Sequence, residues 1–366
     1  MEQSMNNMIP ASPQVRRLCG AALVAASLLV PAPAVRAAQT LTLLNWEEYL
    51  SEAVIERWQA ETGVPIQQIY FDSGDKRDEV LAKPEHQIDL ALTERISSGR
   101  FGERALLDPI EDKKLPNLRH VSKRWRDSCG PYSIPYLWGT LGIAYRIDRL
   151  DYAPRSWAEL LKPAEHQAPH IIMMEDHEDV LAAPLIYQQH SINTSSNDEL
   201  RAAFAMLQGQ SSAVLTYEYA ITSLRDPRLI DQADMALAYS GDQLVLNEVE
   251  GIEGEPWRYV VPDEGTLLWV DCLSIPANTP NKALAYRFLN FISDPEIAAL
   301  NAAQLAVATP NAAAQALLPE AIRQDPSIYP PEKVLERSQV YESRPLEATQ
   351  TRRRIISALI NAHDAR

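Results

Sequence analysis

The sequence predicts an α/β fold in about two domains, and three observations lead to this prediction. Strand and helix patterns alternate along the first half of the chain, as they do in β-α-β units. The predicted strands are short apolar runs, which are typical of parallel strands buried on both faces. The chain has 366 residues, 46% of them hydrophobic, and this is enough for two domains with a large core.

The first half of the chain is predicted to contain a strand, a helix, two further strands and a second helix. In chain order these are Leu41–Trp46, Ser51–Thr62, Ile66–Phe71, Ile88–Leu92 and a helix near Gly99–Ala105. In the first helix, Val54, Ile55 and Trp58 fall on one face, and Gly63 is a residue type that ends helices. Ligands of parallel sheets bind at the carboxyl ends of strands, so the side chains that follow these strands are candidates for a site.

The second half is predicted to contain five strands and a helix that begins at Ser156. The strands are Pro131–Gly139, Ile143–Arg146, Ile171–Met174, Met235–Tyr239 and Leu267–Pro276. Ser156 followed by Glu159 has the spacing of a capping box. Asp271 is unusual because it interrupts an apolar strand, where an unpaired carboxylate costs several kcal/mol. We therefore expect a cation of the protein or of a ligand to meet Asp271.

The N-terminus has the pattern of a cleavable export signal. Arg16 and Arg17 precede an apolar stretch at Ala21–Pro33, and Val35–Ala37 has the small residues of a cleavage site. Removing residues 1–37 would take away three arginines and one glutamate and leave a net charge of −17. This charge argues against nucleic acid as a partner and is compatible with a cationic ligand. We predict a periplasmic protein.

Two cysteines, Cys129 and Cys272, remain after removal of this segment. An oxidising compartment permits a disulfide between them without requiring it. Because they lie far apart in the sequence, we expect two separate buried thiols.

The sequence lacks the motifs of common enzyme sites. It contains no Gly-x-Ser-x-Gly elbow, no phosphate-binding glycine loop and no Cys-x-x-Cys pair, and His177-Glu178 lacks the second histidine of a zinc helix. The seven histidines are scattered along the chain. We predict a binding protein rather than an enzyme, with no cofactor and no metal.

Four separated motifs give the sequence a specific resemblance. They are Asn45–Tyr49, Ser133–Gly139, Trp269–Ala277 and Thr309–Asn311. In order and spacing they resemble the periplasmic spermidine/putrescine-binding proteins of ABC importers, from about residue 40 to the region of Gln339. The resemblance implies two α/β lobes joined by hinge strands that cross at Trp138–Gly139 and Trp269–Asp271. One lobe would be residues 39–139 with 270–315, and the other 140–269 with 316–366.

The resemblance also implies a set of ligand-binding residues. Aromatic faces attract ammonium groups and cover methylene chains, while carboxylates neutralise amines. The residues in family register, or replacing family contacts, are Trp46, Glu47, Tyr49, Glu94, Asp176, Asp179, Tyr239, Trp269, Asp271 and Gln339. Asp176 and Asp179 have an i, i+3 spacing at a helix start, where acidic residues also stabilise the helix dipole.

This chain departs from the family pattern toward a more acidic and less aromatic site. Glu94 replaces a hydroxyl, Ile96 and Val307 replace aromatic residues, and Tyr239 stands where tryptophan is common. Glu94 would either bind a ligand amine or pair with Arg95 beside it. Because adjacent residues at a strand end point to opposite faces, we expect that Glu94 and Arg95 do not both enter the cleft.

The function implied by the resemblance is binding of a polyamine and its delivery, by a monomeric protein, to a membrane ABC permease. One alternative is a periplasmic polyamine sensor that acts on a membrane signalling receptor of the cyclic-di-GMP type. A second alternative is a binding protein for another small cationic metabolite.

Overall fold

A computed structural model describes residues 39–71, 73–165, 169–249 and 253–365. The predicted export signal lies outside the described residues. The described residues form nine strands: β1 (Leu41–Asn45), β2 (Ile66–Tyr70), β3 (Leu90–Thr93), β4 (Ser133–Arg146), β5 (Ile171–Ile172), β6 (Val214–Thr216), β7 (Met235–Tyr239), β8 (Trp257–Val260) and β9 (Leu268–Ser274).

The same residues form fifteen α-helices, which flank the strands. They are α1 (Glu52–Thr62), α2 (Gly74–Leu81), α3 (Arg95–Glu103), α4 (Lys123–Cys129), α5 (Trp157–Leu161), α6 (Asp179–Tyr187), α7 (Asn197–Gln210), α8 (Pro227–Gln232), α9 (Asp242–Asn247), α10 (Lys282–Ile292), α11 (Pro295–Leu305), α12 (Ala312–Leu317), α13 (Glu320–Arg323), α14 (Glu332–Leu335) and α15 (Leu346–Asp364). Within the described ranges, no helix is long and apolar enough to cross a membrane.

Local signals in the sequence explain where several elements begin and end. Gly63 takes a left-handed conformation with φ of 70° and ends α1, where its N–H donates to the carbonyl of Gln59. The predicted capping box is present at α5, since the Ser156 hydroxyl accepts from the backbone and Glu159 bonds back to Ser156.

The strands form a mixed sheet with the order β2-β1-β3-β9-β4-β7-β5-β6, and β8 also pairs with β4. β1 is parallel to β2 and β3, and β5 is parallel to β6 and β7. Every antiparallel pair involves β4 or β9. The two strands therefore connect two sets of parallel strands, and the predicted α/β class is confirmed.

β4 is a single strand of 14 residues, whereas the sequence predicted two strands separated near Thr140. Its first part pairs with β9, and its second part pairs with β7 and β8. Gly139 lies where the partner changes, and a Cβ there would overlap the Trp269 ring and the Ser240 hydroxyl. Close packing therefore requires a glycine at this position of the continuous strand.

Two hydrophobic cores are associated with the two parts of β4. Leu137 packs in one core with Leu44 and Phe288, and Leu141 packs in the other with Leu181. These two cores fit the two-lobed fold, although the exact lobe boundaries given above stay a prediction.

Cys129 and Cys272 form a disulfide, with their Cα atoms 5.8 Å apart. The expectation of two separate thiols was therefore wrong. Sequence distance was a poor guide because α4 packs against β9, and both cysteines are fully buried in a small core with Trp138 and Val270. The disulfide joins the end of α4 to the strand that carries Asp271.

Candidate functional site

β9 presents a polar and aromatic face that is distinct from its buried face. Leu268, Val270 and Cys272 pack in the disulfide core. Successive side chains of a strand point to opposite faces, so Trp269 and Asp271 share the other face, where both keep part of their surface exposed. The Asp in this apolar strand is therefore located on its more open side.

Asp271 accepts a hydrogen bond of 2.7 Å from the Tyr49 hydroxyl. The Tyr49 carbonyl in turn accepts a bond of 2.7 Å from Tyr136, which fixes the segment after β1. Burial raises the pKa of Asp271 to about 7, and the Tyr49 hydroxyl opposes this rise. Among the described residues, Asp271 forms no ion pair, and the Arg77 guanidinium favours its charged form only from a longer distance.

Trp46 and Glu47 follow β1 at its carboxyl end. The Trp46 ring packs on Phe71 with centroids 4.3 Å apart, and it remains partly exposed. The Glu47 side chain is exposed to solvent. Trp46 is therefore held by an aromatic neighbour that sequence reasoning had not assigned to the site.

Glu94 does not pair with Arg95, the neighbouring partner considered from the sequence. Its carboxylate accepts from both terminal nitrogens of Arg77, one of them at 3.1 Å, and from the Ser97 hydroxyl. Arg95 is exposed and bonds to the carbonyl of Asp127. Burial disfavours the charged carboxylate, but Arg77 and Ser97 outweigh it and lower the pKa of Glu94.

A second carboxylate centre lies at the start of α6. Asp179 is buried and accepts hydrogen bonds from the hydroxyls of Tyr239 and Tyr341, the latter at 2.6 Å. Burial raises the pKa of Asp179 to about 7, and the Asp176 carboxylate contributes to the rise. Asp179 forms no ion pair with any residue in the described ranges. Its environment therefore resembles that of Asp271, with tyrosine hydroxyls as donors.

Asp176 and Asp179 have different surroundings despite their shared predicted role. Asp176 is exposed, and its carboxylate accepts from the backbone N–H groups of Glu178 and Asp179 at 2.8 and 3.0 Å. It thus caps the start of α6, which is the alternative role for an acidic residue at that position.

Asp242, Tyr219 and Tyr341 belong to the second centre and were missed from the sequence. Asp242 accepts at 2.7 Å from the Tyr219 hydroxyl and at 2.7 Å from the backbone N–H of Tyr239. Burial raises the pKa of Asp242 to about 7. Tyr239 follows an apolar strand, but Tyr219 and Tyr341 lie in loops that give no periodic signal.

Gln339 is bonded to the loop that follows α6. Its side-chain carbonyl accepts from the backbone N–H of Ile192 at 3.0 Å, and its own N–H donates to Thr266. Gln339 therefore anchors the segment that carries Tyr341, and its predicted contact with a ligand stays a prediction.

β4 is the frame that relates the two centres. Leu137 pairs with Asp271, Gly139 with Trp269, and Leu141 with Tyr239. Residues two apart on a strand share a face, and four residues span about 13 Å. The order along β4 is therefore Asp271, then the Trp269 indole, then Tyr239, which bonds to Asp179 of the second carboxylate centre.

The model of the bacterial extracellular solute-binding proteins matches residues 53–330 of this chain. The chain belongs to this family. The matched range includes residues of both cores described above, such as Leu137, Leu141 and Phe288.

Two relatives and one solved structure illustrate this similarity. The norspermidine sensor of Vibrio cholerae is 32% identical over 327 residues, which cover 89% of this chain and 90% of that protein. The spermidine/putrescine-binding periplasmic protein of Escherichia coli K12 is 27% identical over 297 residues, 80% of this chain and 83% of that protein. The substrate-binding protein of a spermidine/putrescine ABC transporter from Streptococcus pneumoniae is 27% identical, with a TM-score of 0.79, and covers 89% of this chain and 99% of that chain.

The chemistry available to this solute-binding protein is that of cation recognition. Asp271 and Asp179 are carboxylates whose described hydrogen-bond partners are neutral donors. In the register with β4, Trp269 lies between Asp271 and Tyr239, and Tyr239 bonds to Asp179. Two separate carboxylates of this kind suit separate positive charges on an organic molecule. In the described part of the chain, no group of three His, Cys, Asp or Glu side chains is arranged to hold a metal ion.

Proposed function

We propose that this chain is an exported binding protein for a linear polyamine. The observation that carries the proposal is the pair Asp271 and Asp179. Asp179 is buried and Asp271 is half-buried; Asp179 accepts from two tyrosine hydroxyls and Asp271 from one, and neither forms an ion pair among the described residues. An ammonium group at each end of a ligand would supply the missing counter-charges.

The aromatic residues supply the rest of the recognition. Trp46, Tyr49 and Trp269 would cover methylene groups and attract ammonium groups through their ring faces. An enzyme needs an activated nucleophile or a base close to a reacting atom, whereas these side chains need only hold a flexible cation. We therefore propose binding without catalysis, and without a cofactor.

The spacing supports a triamine in preference to a short diamine. Leu137 pairs with Asp271 and Leu141 with Tyr239, and these two β4 residues are about 13 Å apart along the strand. With covalent bonds of roughly 1.5 Å, an extended triamine has a comparable reach and a four-carbon diamine does not. The relatives include a norspermidine sensor and spermidine/putrescine-binding proteins, so they support polyamines as the ligand class.

For the biological role we propose delivery of the polyamine to a membrane ABC importer. Residues 1–37 would direct export to the periplasm, and the mature protein would act as a monomer that docks on the permease. The spermidine/putrescine-binding relatives support this role.

A sensor role is the second candidate, and one observation favours it. The norspermidine sensor shares 32% identity with this chain, compared with 27% for the E. coli spermidine/putrescine-binding protein. In that role the liganded protein would act on a membrane signalling receptor.

Deletion of the gene in its own bacterium would separate the two roles. Loss of radiolabelled polyamine uptake is the result expected for an importer component. Normal uptake with a lost cyclic-di-GMP response to added polyamine would instead establish the sensor.

Isothermal titration calorimetry tests the ligand class. The protein without residues 1–37 is titrated at pH 8 with putrescine, spermidine, norspermidine and spermine. We expect binding of a triamine with a dissociation constant of about 10 µM or tighter. The variant that combines Asp271→Asn with Asp179→Asn should give no measurable heat. Absence of heat with all four polyamines would overturn the proposal, and heat with another cationic metabolite would then identify a different ligand class.

A further inference from the structure

The Arg77 guanidinium is a buried cation at the Asp271 end of the candidate site. Arg77 lies on α2 and is 4% exposed. One terminal nitrogen, Nη2, donates to the Asp78 carboxylate at 2.8 Å, to the Glu94 carboxylate at 3.1 Å and to the Ser97 hydroxyl at 2.8 Å. The guanidinium is fixed by these bonds and lacks the freedom of a surface arginine.

Arg77 also contacts the aromatic wall of the site. Its guanidinium carbon lies 5.8 Å from the centre of the Phe71 ring, and Phe71 packs against Trp46. Both Arg77 and Glu94 are close enough to Asp271 to influence its charge. A cation, an aromatic row and two carboxylates therefore meet at this end.

The charges at this end leave one carboxylate without a counter-charge in the described structure. Glu94 is paired with Arg77, and Asp78 is paired with both Arg77 and Arg100. In the described structure, the Asp271 carboxylate accepts a hydrogen bond from the neutral Tyr49 hydroxyl and forms no ion pair. The Glu94 side chain is nevertheless 43% exposed, so a ligand amine could reach it if Arg77 were absent.

We propose that Arg77 is a specificity-determining residue that limits the length of the polyamine bound. Its guanidinium is bonded to the Glu94 carboxylate, in the position that a further ammonium group of a longer ligand would take. This inference rests on the proposed function, because it concerns the ligand preference of the same site. A triamine ends at Asp271, whereas an additional amine beyond Asp271 meets the guanidinium and is repelled.

Replacement of Arg77 by methionine tests the inference. Arg77→Met removes the charge and keeps an unbranched side chain, so Glu94 is left without its cation. The measured quantity is the ratio of the spermine and spermidine dissociation constants, determined by calorimetry at pH 8. We expect spermine to gain about tenfold relative to spermidine, because the variant removes the guanidinium that repels the fourth amine and frees the Glu94 carboxylate to bind it.

Two further variants control this result. Arg100→Met removes a guanidinium from the same cluster but not from Glu94, so the ratio should not change. Adding Glu94→Gln to Arg77→Met should abolish the gain for spermine. A gain that persists without the Glu94 carboxylate would contradict the proposed mechanism.

The single variant Glu94→Gln keeps the test decisive if Arg77→Met fails to fold. Because Arg77 keeps its charge and loses a counter-charge in this variant, spermine should bind no better relative to spermidine than it does to the original protein. A selective gain of spermine binding would show that exclusion of the longer ligand does not depend on the guanidinium and would overturn the inference. If the unmodified protein bound no polyamine, the proposed function would fail instead, so the two failures are distinguishable.

Discussion

Asp271→Asn is the substitution that most directly probes the first carboxylate centre. The amide has nearly the same volume and can still accept a hydrogen bond from Tyr49, so the fold should be retained. The variant loses the negative charge that would face the ligand ammonium. Breaking a desolvated charge pair costs about 2–5 kcal/mol, which corresponds to an affinity loss of roughly 30-fold to several thousandfold.

The raised pKa of Asp271 makes this loss depend on pH. With a pKa of about 7, the carboxyl group is mostly ionised at pH 8 and mostly protonated at pH 6. Ligand binding at pH 6 must therefore release the proton of Asp271, which by itself lowers the wild-type affinity by about tenfold relative to pH 8, while the similar effect of Asp179 is common to wild type and variant. The Asn variant has no such proton, so the ratio of variant to wild-type dissociation constants should fall by about tenfold from pH 8 to pH 6.

Calorimetry at both pH values measures this ratio, and Asp198→Asn provides a matched control. The Asp198 side chain is 90% exposed on α7, so its substitution changes the net charge equally without touching the site. Its affinity should remain within about twofold of wild type. An Asp271 variant with unchanged affinity, or with a loss independent of pH, would refute the assignment of Asp271 as an ionised amine anchor.

Two further predictions follow from the structure. Asp179→Asn should raise the melting temperature of the ligand-free protein by about 2 °C or more at pH 8 and hardly at pH 4. Burial raises the pKa of Asp179 to about 7, so the destabilisation is absent below its unfolded pKa, grows between about pH 4 and 7, and is complete above pH 7. An equal rise in melting temperature at pH 4 and pH 8, measured by differential scanning calorimetry, would contradict an origin in the buried charge of Asp179. Gly139→Ala should weaken binding of every polyamine by about tenfold or more, because its Cβ would displace the Trp269 ring. Gly209→Ala, where a Cβ meets open space, is the control, and equal affinities for the two variants would argue against a role of Trp269.

Local signals allowed much of the fold to be predicted from the sequence. The apolar face of α1, the glycine that ends it and the capping box of α5 depend only on neighbouring residues. The strands that carry Asp271 and Tyr239 were also recognisable, because each is a short apolar run. Asp271 was conspicuous for a physical reason, since a carboxylate in such a run needs compensation.

The features that the sequence did not reveal depend on contacts between distant segments. α2 has few apolar residues and begins with a glycine, so its periodic signal is weak, and Arg77 was missed with it. The pairing of Cys129 with Cys272 spans 143 residues and depends on the packing of α4 on β9. Tyr341 contacts Asp179 across 162 residues of sequence, and Gln339 anchors the segment just before Tyr341 to the loop after α6.

A crystal structure of the protein with the triamine that binds best in calorimetry would test the central claim most directly. The account predicts one terminal ammonium within hydrogen-bond distance, about 2.7–3.2 Å, of the Asp271 carboxylate and the other at the Asp179 centre. The methylene chain should cross the Trp269 indole. A ligand that contacts neither carboxylate, or that binds away from β4, would contradict the account.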